Sequence, residues 1–297
     1  MQLHKKPMWI GIDVDIAKRI PKHLKIQSKL FMKEKFNTNR ELEKVKGRLV
    51  SRGDMVAEEL KEYIDSPTVS PDAVLLMLSV FAMEGRQWAS YDVPAAYTNA
   101  KRDPNSNPIY MVLNKEISTI IADRDTEFRQ FINEKGTSLV KIMRAAYGLS
   151  DSSGLWYNEV SGFLKEMGFQ ENPVSPCVFN KMINHRQATI LLYVDDMLIS
   201  HESINVVESI MDDTDNKYGK GTRSQGKLVE FLGMRIERNE DGSISISMPK
   251  HIVDLLDAWK IDKVSEYPAG HDLFVADEAS PKLSKEQSEK LHSGVAS

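Results

Sequence analysis

The chain has 297 residues, 41% hydrophobic and 28% charged, the balance of an ordinary soluble globular protein long enough for one large domain or two. No apolar run approaches the ~18–20 residues of a membrane span, and the start lacks a secretory apolar core. Cys177 is the single cysteine, which excludes an internal disulfide or a cysteine-cluster zinc site and points to a reducing, intracellular compartment. Net charge is −4, yet residues 1–52 carry 14 Lys or Arg against 5 Asp or Glu, so that segment is +9 and the remainder −13. A basic lobe joined to an acidic one suits a protein that grips a polyanion; a solvated basic surface has the same signature.

There is no 20–50-residue repeat and no low-complexity tract, which excludes solenoids and tails. In chain order, residues 23–36 alternate, NTNRE (37–41) makes a turn, and 45–53 alternate again, which predicts a basic antiparallel hairpin. Residues 70–85 predict a helix with Ser70 as cap, Pro71 in the first turn and Gly85 as stop. Its methionine-rich stretch, 75–83, reads as core packing. WASYDVPAAYTNA (88–100) begins as a strand that should end near Asp92–Val93, because Pro94 lacks the N–H a central ladder needs. Residues 154–169 predict an amphipathic helix closed by Gly168, and TILLYVDDMLIS (189–200) two short strands joined at Val194–Asp195. GKGTRS (219–224) lacks the spacing of a phosphate loop and reads as a flexible turn. Residues 230–248 predict a hairpin turning at Asp241–Gly242, and 250–260 a helix. Segments 101–135 and 262–297 are polar and weakly periodic, the pattern of connectors or, at the C-terminal end, an incomplete element. Strands and helices mixed with antiparallel hairpins give an α+β fold.

Asp195 and Asp196 interrupt an apolar run, where carboxylates are costly unless a cation meets them. Asp92, 103 residues earlier, sits at a strand end, so two neighbouring strands of one sheet can present all three carboxylates to a common point. Hard oxygen donors of this kind suit Mg2+. Two such ions ~3.5–4 Å apart can activate an attacking hydroxyl and stabilise a leaving pyrophosphate. Taken singly, an Asp-Asp pair in a hairpin is weak evidence, and is more often a structural turn. The seven histidines show no ligand spacing, and Cys177 reads as a small core residue.

The combination is more telling. YVDD within an apolar hairpin resembles the Y-x-D-D box of reverse transcriptases, and DVPAAY (92–97) resembles their D-x-x-x-A-[FY] motif. VKGRLVSRG, SPTVSPDAVLLMLSVFA, AAYGLSDSSGLWY, GFQENPVSPCVF and VEFLGMRI follow in the order seen in copia-type LTR retrotransposons, over residues 20–260. The resemblance implies a right-hand polymerase, with fingers at 1–87 and 118–150, palm at 88–117 and 151–245, and a thumb begun at 246–297 and cut short. It implies template-directed DNA synthesis on an RNA or DNA template, with a DNA primer, an RNA–DNA hybrid, deoxynucleoside triphosphates and two Mg2+ (or Mn2+) ions. It further implies an intracellular protein with no membrane partner, acting in a cytoplasmic virus-like particle or the nucleus, with integrase and ribonuclease H expected on a parent polyprotein.

Carried over residue by residue, Asp92, Asp195 and Asp196 are the metal-binding carboxylates, with the Val93 carbonyl as a further ligand. Tyr97 falls where the family places an aromatic gate against a 2′-hydroxyl; otherwise it is a core aromatic. Lys46 and Arg48 are expected at the triphosphate, strand register deciding which points inward. Tyr147 and Gly148 are expected against the nucleotide and template base, and Tyr193 beside the primer end. Phe231, Leu232 and Gly233 resemble the primer grip, with sheet core as the alternative. Lys220 and Lys227 are expected as proton donors to pyrophosphate. The family's K-Q-[SA]-P-R is replaced by Ser150-Asp151-Ser152-Ser153-Gly154, which removes two cations and adds an acid near the expected template or triphosphate. That departure and the short thumb favour the competing class, a catalytically weak or domesticated nucleic-acid-binding module, and the intact carboxylates speak against it. An RNA-dependent RNA polymerase is disfavoured by Tyr97.

Overall fold

The computed structural model describes residues 7–36, 42–61, 64–260 and 281–295. It is an α+β fold with a central antiparallel sheet flanked by helices and a second sheet that contains one parallel pair. At its centre is a six-stranded antiparallel sheet with strands in the order Thr222–Gln225, Gln87–Asp92, Asp196–His201, Arg186–Tyr193, Val178–Ile183 and Gln170–Glu171. Its middle strands carry Ile190, Leu191, Leu192, Met197, Leu198 and Ile199, all at most 1% exposed, so both faces of the sheet are covered. Continuous apolar runs in place of strict alternation follow from that double burial.

Side-chain alternation along Gln87–Asp92 identifies the two covers. Tyr91 meets helix Ile204–Tyr218 through Asp215, whereas Trp88 faces the other way and donates to the Gly226 carbonyl at 2.9 Å. Arg238, from a three-stranded sheet (Leu228–Phe231, Met234–Arg238, Ile244–Ser247), lies 4.4 Å over the Trp88 ring. Helix Ser152–Glu166 joins helix Ile204–Tyr218 through edge-on contacts of Trp156 and Phe163 with Tyr218.

A second sheet of five strands runs Trp9–Gly11, Ser138–Ile142, Tyr110–Leu113, Lys25–Phe36 and Leu42–Ser51. Lys25–Gln27 pair parallel with Tyr110–Val112, while the hairpin partners pair antiparallel from Ser28–Ser51 out to Phe36–Leu42. Beyond Gln27 the hairpin is a two-stranded ribbon carrying Lys29, Lys33, Lys35, Lys44, Lys46 and Arg48, as the alternation predicts. Its expected turn at 37–41 lies outside the described residues.

The other expected elements form near their predicted bounds. Helix Pro71–Met83 has Ser70 Oγ accepting from the Ala73 N–H at 3.2 Å, and Gly85 ends it at φ +64°. Helices Ser152–Glu166 and Pro249–Trp259 also form.

Four expectations need correction. Segment 101–135 is no connector: it contains strand Tyr110–Leu113 and helix Lys115–Ala122, and Met111, Leu113 and Ile117 enter the second core. A four-residue central strand is too short for its pattern to stand out. Residues 228–247 make two turns, since Leu232 (φ +54°) and Gly233 (φ +74°) close a tight hairpin without the usual Asn-Gly signal. Residues 222–225 are an edge strand, and the turn before it is pinned. Helix Pro71–Met83 is core on one face only, for Leu78 and Phe81 are buried but Leu75, Leu76 and Met83 are exposed. Helix Lys285–Val295 lies in the expected incomplete element. No described helix is long and apolar enough to cross a membrane.

Candidate active site at the rim of the central sheet

Asp92 ends its strand and Asp196 begins the neighbouring one, and the two are directly opposed Cα partners. Directly opposed residues of an antiparallel pair share a face, with Cβ atoms about 4.5–5.5 Å apart. Asp195 is fixed through its backbone: its carbonyl accepts the Val93 N–H at 2.8 Å, tying the hairpin tip to the residue after Asp92. Val194, the first turn residue, sits at φ +55°, an unusual backbone for a β-branched side chain. Its carbonyl accepts Trp156 Nε1–H at 2.6 Å, so a buried tryptophan of helix Ser152–Glu166 holds the strained turn.

The carboxylates lie at the rim, not in the interior: Asp92 is exposed, and Asp195 and Asp196 are half-buried. Burial, with the charges of Asp195 and Asp92, pushes the Asp196 carboxyl up to about 6. Like charges cross-strand are unfavourable by themselves, so this geometry concentrates negative potential at one point of the rim.

Tyr97 and Tyr147 meet edge-on, ring centroids 4.9 Å apart, and Arg48 lies 5.8 Å over the Tyr147 ring. Burial, and then the charge of Asp195, raises both phenol pKa values. Lys46 and Arg48 are two residues apart on one strand and share a face. Register therefore turns both together, and the expectation that it chooses between them is corrected. Position along the ribbon separates them: Arg48 reaches Tyr147, while Lys46, opposite Lys33, lies farther out.

Gly148 (φ +95°) is needed for close approach. A Cβ there would stand 2.1 Å from the Ser51 carbonyl oxygen, and one on Gly53 would stand 1.9 Å from that of Gly148. With the Ser51 N–H donating to the Tyr147 carbonyl at 2.7 Å, two backbones join the basic ribbon to the Tyr147 loop.

Tyr193, partly exposed, is the other cross-strand neighbour of Asp196. Phe231 is buried in the main core, and Leu232–Gly233 are the turn beyond it. Thr222 opposes Asp92, so Lys220 lies past the strand end on the carboxylate side, whereas Lys227 lies beyond the opposite end. Asp151 is 2% exposed and ion-paired with buried Arg102, so the acid of the altered 150–154 loop is neutralised internally. A buried cation 49 residues upstream left no local signal of that pairing.

Sequence reasoning also missed Asp215, on helix Ile204–Tyr218, and Arg144, which donates to the Thr98 and Asn99 carbonyls behind Tyr97. The buried residues Val207, Ile210, Met211, Thr214 and Tyr218 trace a helical stripe that would have found the first.

No set of three or more His, Cys, Asp or Glu side chains among the described residues forms a ready cage for a metal ion. What is present is an opposed carboxylate pair, a third carboxylate held through its backbone, and adjacent carbonyls. These are oxygen donors only, with excess negative charge, and they fit a hard divalent cation such as Mg2+ or Mn2+.

A family model described as reverse transcriptase (RNA-dependent DNA polymerase) matches residues 14–267. The chain belongs to the reverse transcriptase (RNA-dependent DNA polymerase) family, on its copia-type LTR retrotransposon branch. It is similar to the retrovirus-related Pol polyprotein from transposon TNT 1-94 of Nicotiana tabacum, at 25% identity over 83% of this chain and 18% of that protein. The Pol polyprotein from transposon RE1 of Arabidopsis thaliana is 23% identical over 82% of this chain and 15% of its own length. The chain thus spans less than a fifth of these two relatives. Among solved structures, the prototype foamy virus protease–reverse transcriptase aligns with a TM-score of 0.39 at 12% identity, over 99% of this chain and 35% of that one. At that TM-score the likeness adds nothing to the family assignment.

Proposed function

We propose that this chain is the catalytic part of an RNA-directed DNA polymerase, extending a DNA primer 3′-hydroxyl on an RNA or DNA template. The observation that carries the reading is the direct opposition of Asp92 and Asp196, with Asp195 tied to Val93 at 2.8 Å. Asp92, Asp195, Asp196 and the Val93 carbonyl would hold two Mg2+ (or Mn2+) ions. Bound there, the ions supply charge for activating the primer hydroxyl and neutralising the departing pyrophosphate. The protein forms no covalent bond; it positions and neutralises.

The other roles follow from position. The Tyr97 ring walls the sugar of an incoming deoxynucleotide, supported edge-on by Tyr147. Arg48 places a guanidinium beside that ring for the triphosphate, with Lys46 reinforcing it farther along the ribbon. Tyr193 flanks the primer end, and the Leu232–Gly233 turn supports the primer backbone, with Phe231 anchoring it in the core. Lys220, on the carboxylate side of the sheet, is favoured over Lys227 as the donor of a proton to pyrophosphate. In this reading the ribbon sheet is the fingers, which moves strand Tyr110–Leu113 out of the palm span expected at 88–117; the central sheet is the palm, and residues from 246 onward the start of the thumb. Integrase and ribonuclease H would accompany it on a longer polyprotein, acting in a cytoplasmic particle or the nucleus. Inward pairing of Asp151 weighs against a non-catalytic nucleic-acid-binding module, because the altered loop adds no charge to the cleft.

The test is primer extension on an RNA template with Mg2+ and deoxynucleotides, comparing wild type with Asp195→Asn. Extension by wild type alone is expected. Equal product from both proteins refutes the mechanism, and salt-sensitive hybrid binding without extension by wild type replaces it with the binding-module reading.

A further inference from the structure

The strand that carries Asp92 has a second anchor, on the face opposite the carboxylates. Tyr91 hydroxyl donates to Asp215 Oδ1 at 2.6 Å, and the Gly221 N–H donates to the same oxygen at 2.9 Å. Asp215 Oδ2 accepts from Arg223 Nη2 at 2.5 Å. Arg223 also reaches Asp212 at 2.8 Å and lies 6.0 Å over the Tyr91 ring. One carboxylate on helix Ile204–Tyr218 therefore gathers the strand, the turn after the helix and the edge strand beyond it.

The turn between them is tightly set. Gly219 (φ +98°) donates to the Asp215 carbonyl at 2.8 Å. A Cβ on Gly221 would stand 2.4 Å from Tyr91 Cζ and 2.6 Å from the Asp92 carbonyl oxygen, so the chain crosses the end of the Asp92 strand in direct contact with it. Lys220 is the residue between those glycines, and Thr222 then pairs with Asp92. Burial opposes ionisation of Asp215, yet the bonds from Tyr91, Gly221 and Arg223 outweigh it and hold its pKa below the ordinary value.

We propose that Asp215 is a positioning residue for the carboxylate site: it clamps the Gly219–Gly221 turn onto Tyr91 and so fixes Lys220 and Asp92 relative to one another. The inference rests on the polymerase reading, because only there does that mutual position matter. Asp215 touches no reacting atom. Its effect is to keep a lysine-bearing turn from lifting off the strand end while the acids at the rim draw it electrostatically.

Full-length Asp215→Ala, Asp215→Asn and Tyr91→Phe test it, each read in two ways. Amide hydrogen exchange at Gly221, Thr222 and Arg223 reports the clamp without any activity. Single-nucleotide incorporation on a primer–template then separates the rate constant of incorporation from the deoxynucleotide Kd. In Asp215→Ala, exchange at these amides should quicken and the rate constant fall by about tenfold or more, with nucleotide Kd within about twofold. Asp215→Asn keeps the acceptor for Tyr91 and Gly221 but turns an amide NH2 towards Arg223, and should recover part of the loss. Tyr91→Phe, which removes one hydroxyl and no bulk, should fall between. Unchanged exchange in Asp215→Ala overturns the inference, as does faster exchange with an unchanged rate constant. A rise in nucleotide Kd alone makes Asp215 part of nucleotide binding and also overturns it. A wild-type chain that incorporates no nucleotide refutes the polymerase reading, and the catalytic role of Asp215 falls with it.

Discussion

Replacing Asp196 with asparagine should make the protein more stable while abolishing its chemistry. Burial and the charges of Asp195 and Asp92 raise the Asp196 carboxyl from 3.8 to about 6. That displacement corresponds to about 3 kcal/mol at ~1.4 kcal/mol per pH unit, and solvent screening of a half-buried group reduces it to about 1–2 kcal/mol. Since the folded state holds this proton more tightly than the unfolded chain, protonation stabilises the fold. The penalty is complete above pH 6, is relieved as pH falls from about 6 towards 3.8, and has vanished below that. Asparagine keeps the shape and never carries the charge.

In chelator, urea or thermal melts at pH 7 should place Asp196→Asn about 1–2 kcal/mol above wild type, a rise of about 2–6 °C for a chain of this size. The difference should shrink between pH 6 and pH 4. Added Mg2+ should close the gap at pH 7 by stabilising wild type alone. A variant less stable than wild type at pH 7, or a difference that ignores pH, would refute the argument that burial and mutual repulsion of the rim carboxylates are what the ions relieve.

Three further outcomes follow from the geometry. Gly148→Ala forces a Cβ to 2.1 Å from the Ser51 carbonyl oxygen at φ +95° and should cost about 1–3 kcal/mol; faster tryptic cleavage within residues 42–52 reads the freed ribbon. Tyr97→Val should raise ribonucleotide relative to deoxynucleotide incorporation by about tenfold or more, with Tyr97→Phe unchanged; equal ratios in all three proteins would remove the ring from sugar selection. Arg102→Met strands the buried Asp151 charge and should destabilise by about 3–5 kcal/mol in denaturant melts, with Asp151→Leu added to it restoring most of the loss.

Much of this site was legible because its chemistry is written in short range. Asp92 precedes a proline that ends its strand, and Asp195–Asp196 interrupt a run of apolar residues, so both positions were readable as strand ends. That they face each other is a matter of register across 103 intervening residues, and the family motifs supplied what local pattern could not. Asp151 shows the opposite case: its partner Arg102 is distant in sequence, and an acid in a loop reads as exposed until its cation is seen. The pairing of Lys46 with Arg48 on one face needed only the two-residue period of a strand. The Leu232–Gly233 turn was hidden for a different reason: leucine at φ +54° carries no turn signal, and the packing around Phe231 overrides its preference.

The backbone junction at Gly53 and Gly148 roots the basic ribbon in the Tyr147 loop. Ser51 is hydrogen-bonded to Tyr147, Arg48 rests on that tyrosine's ring, and Tyr147 in turn meets Tyr97 edge-on. In the proposed polymerase, an anion held at Arg48 would therefore bear on Tyr97 through the Tyr147 ring, coupling grip on the charge to the shape of the pocket for the sugar.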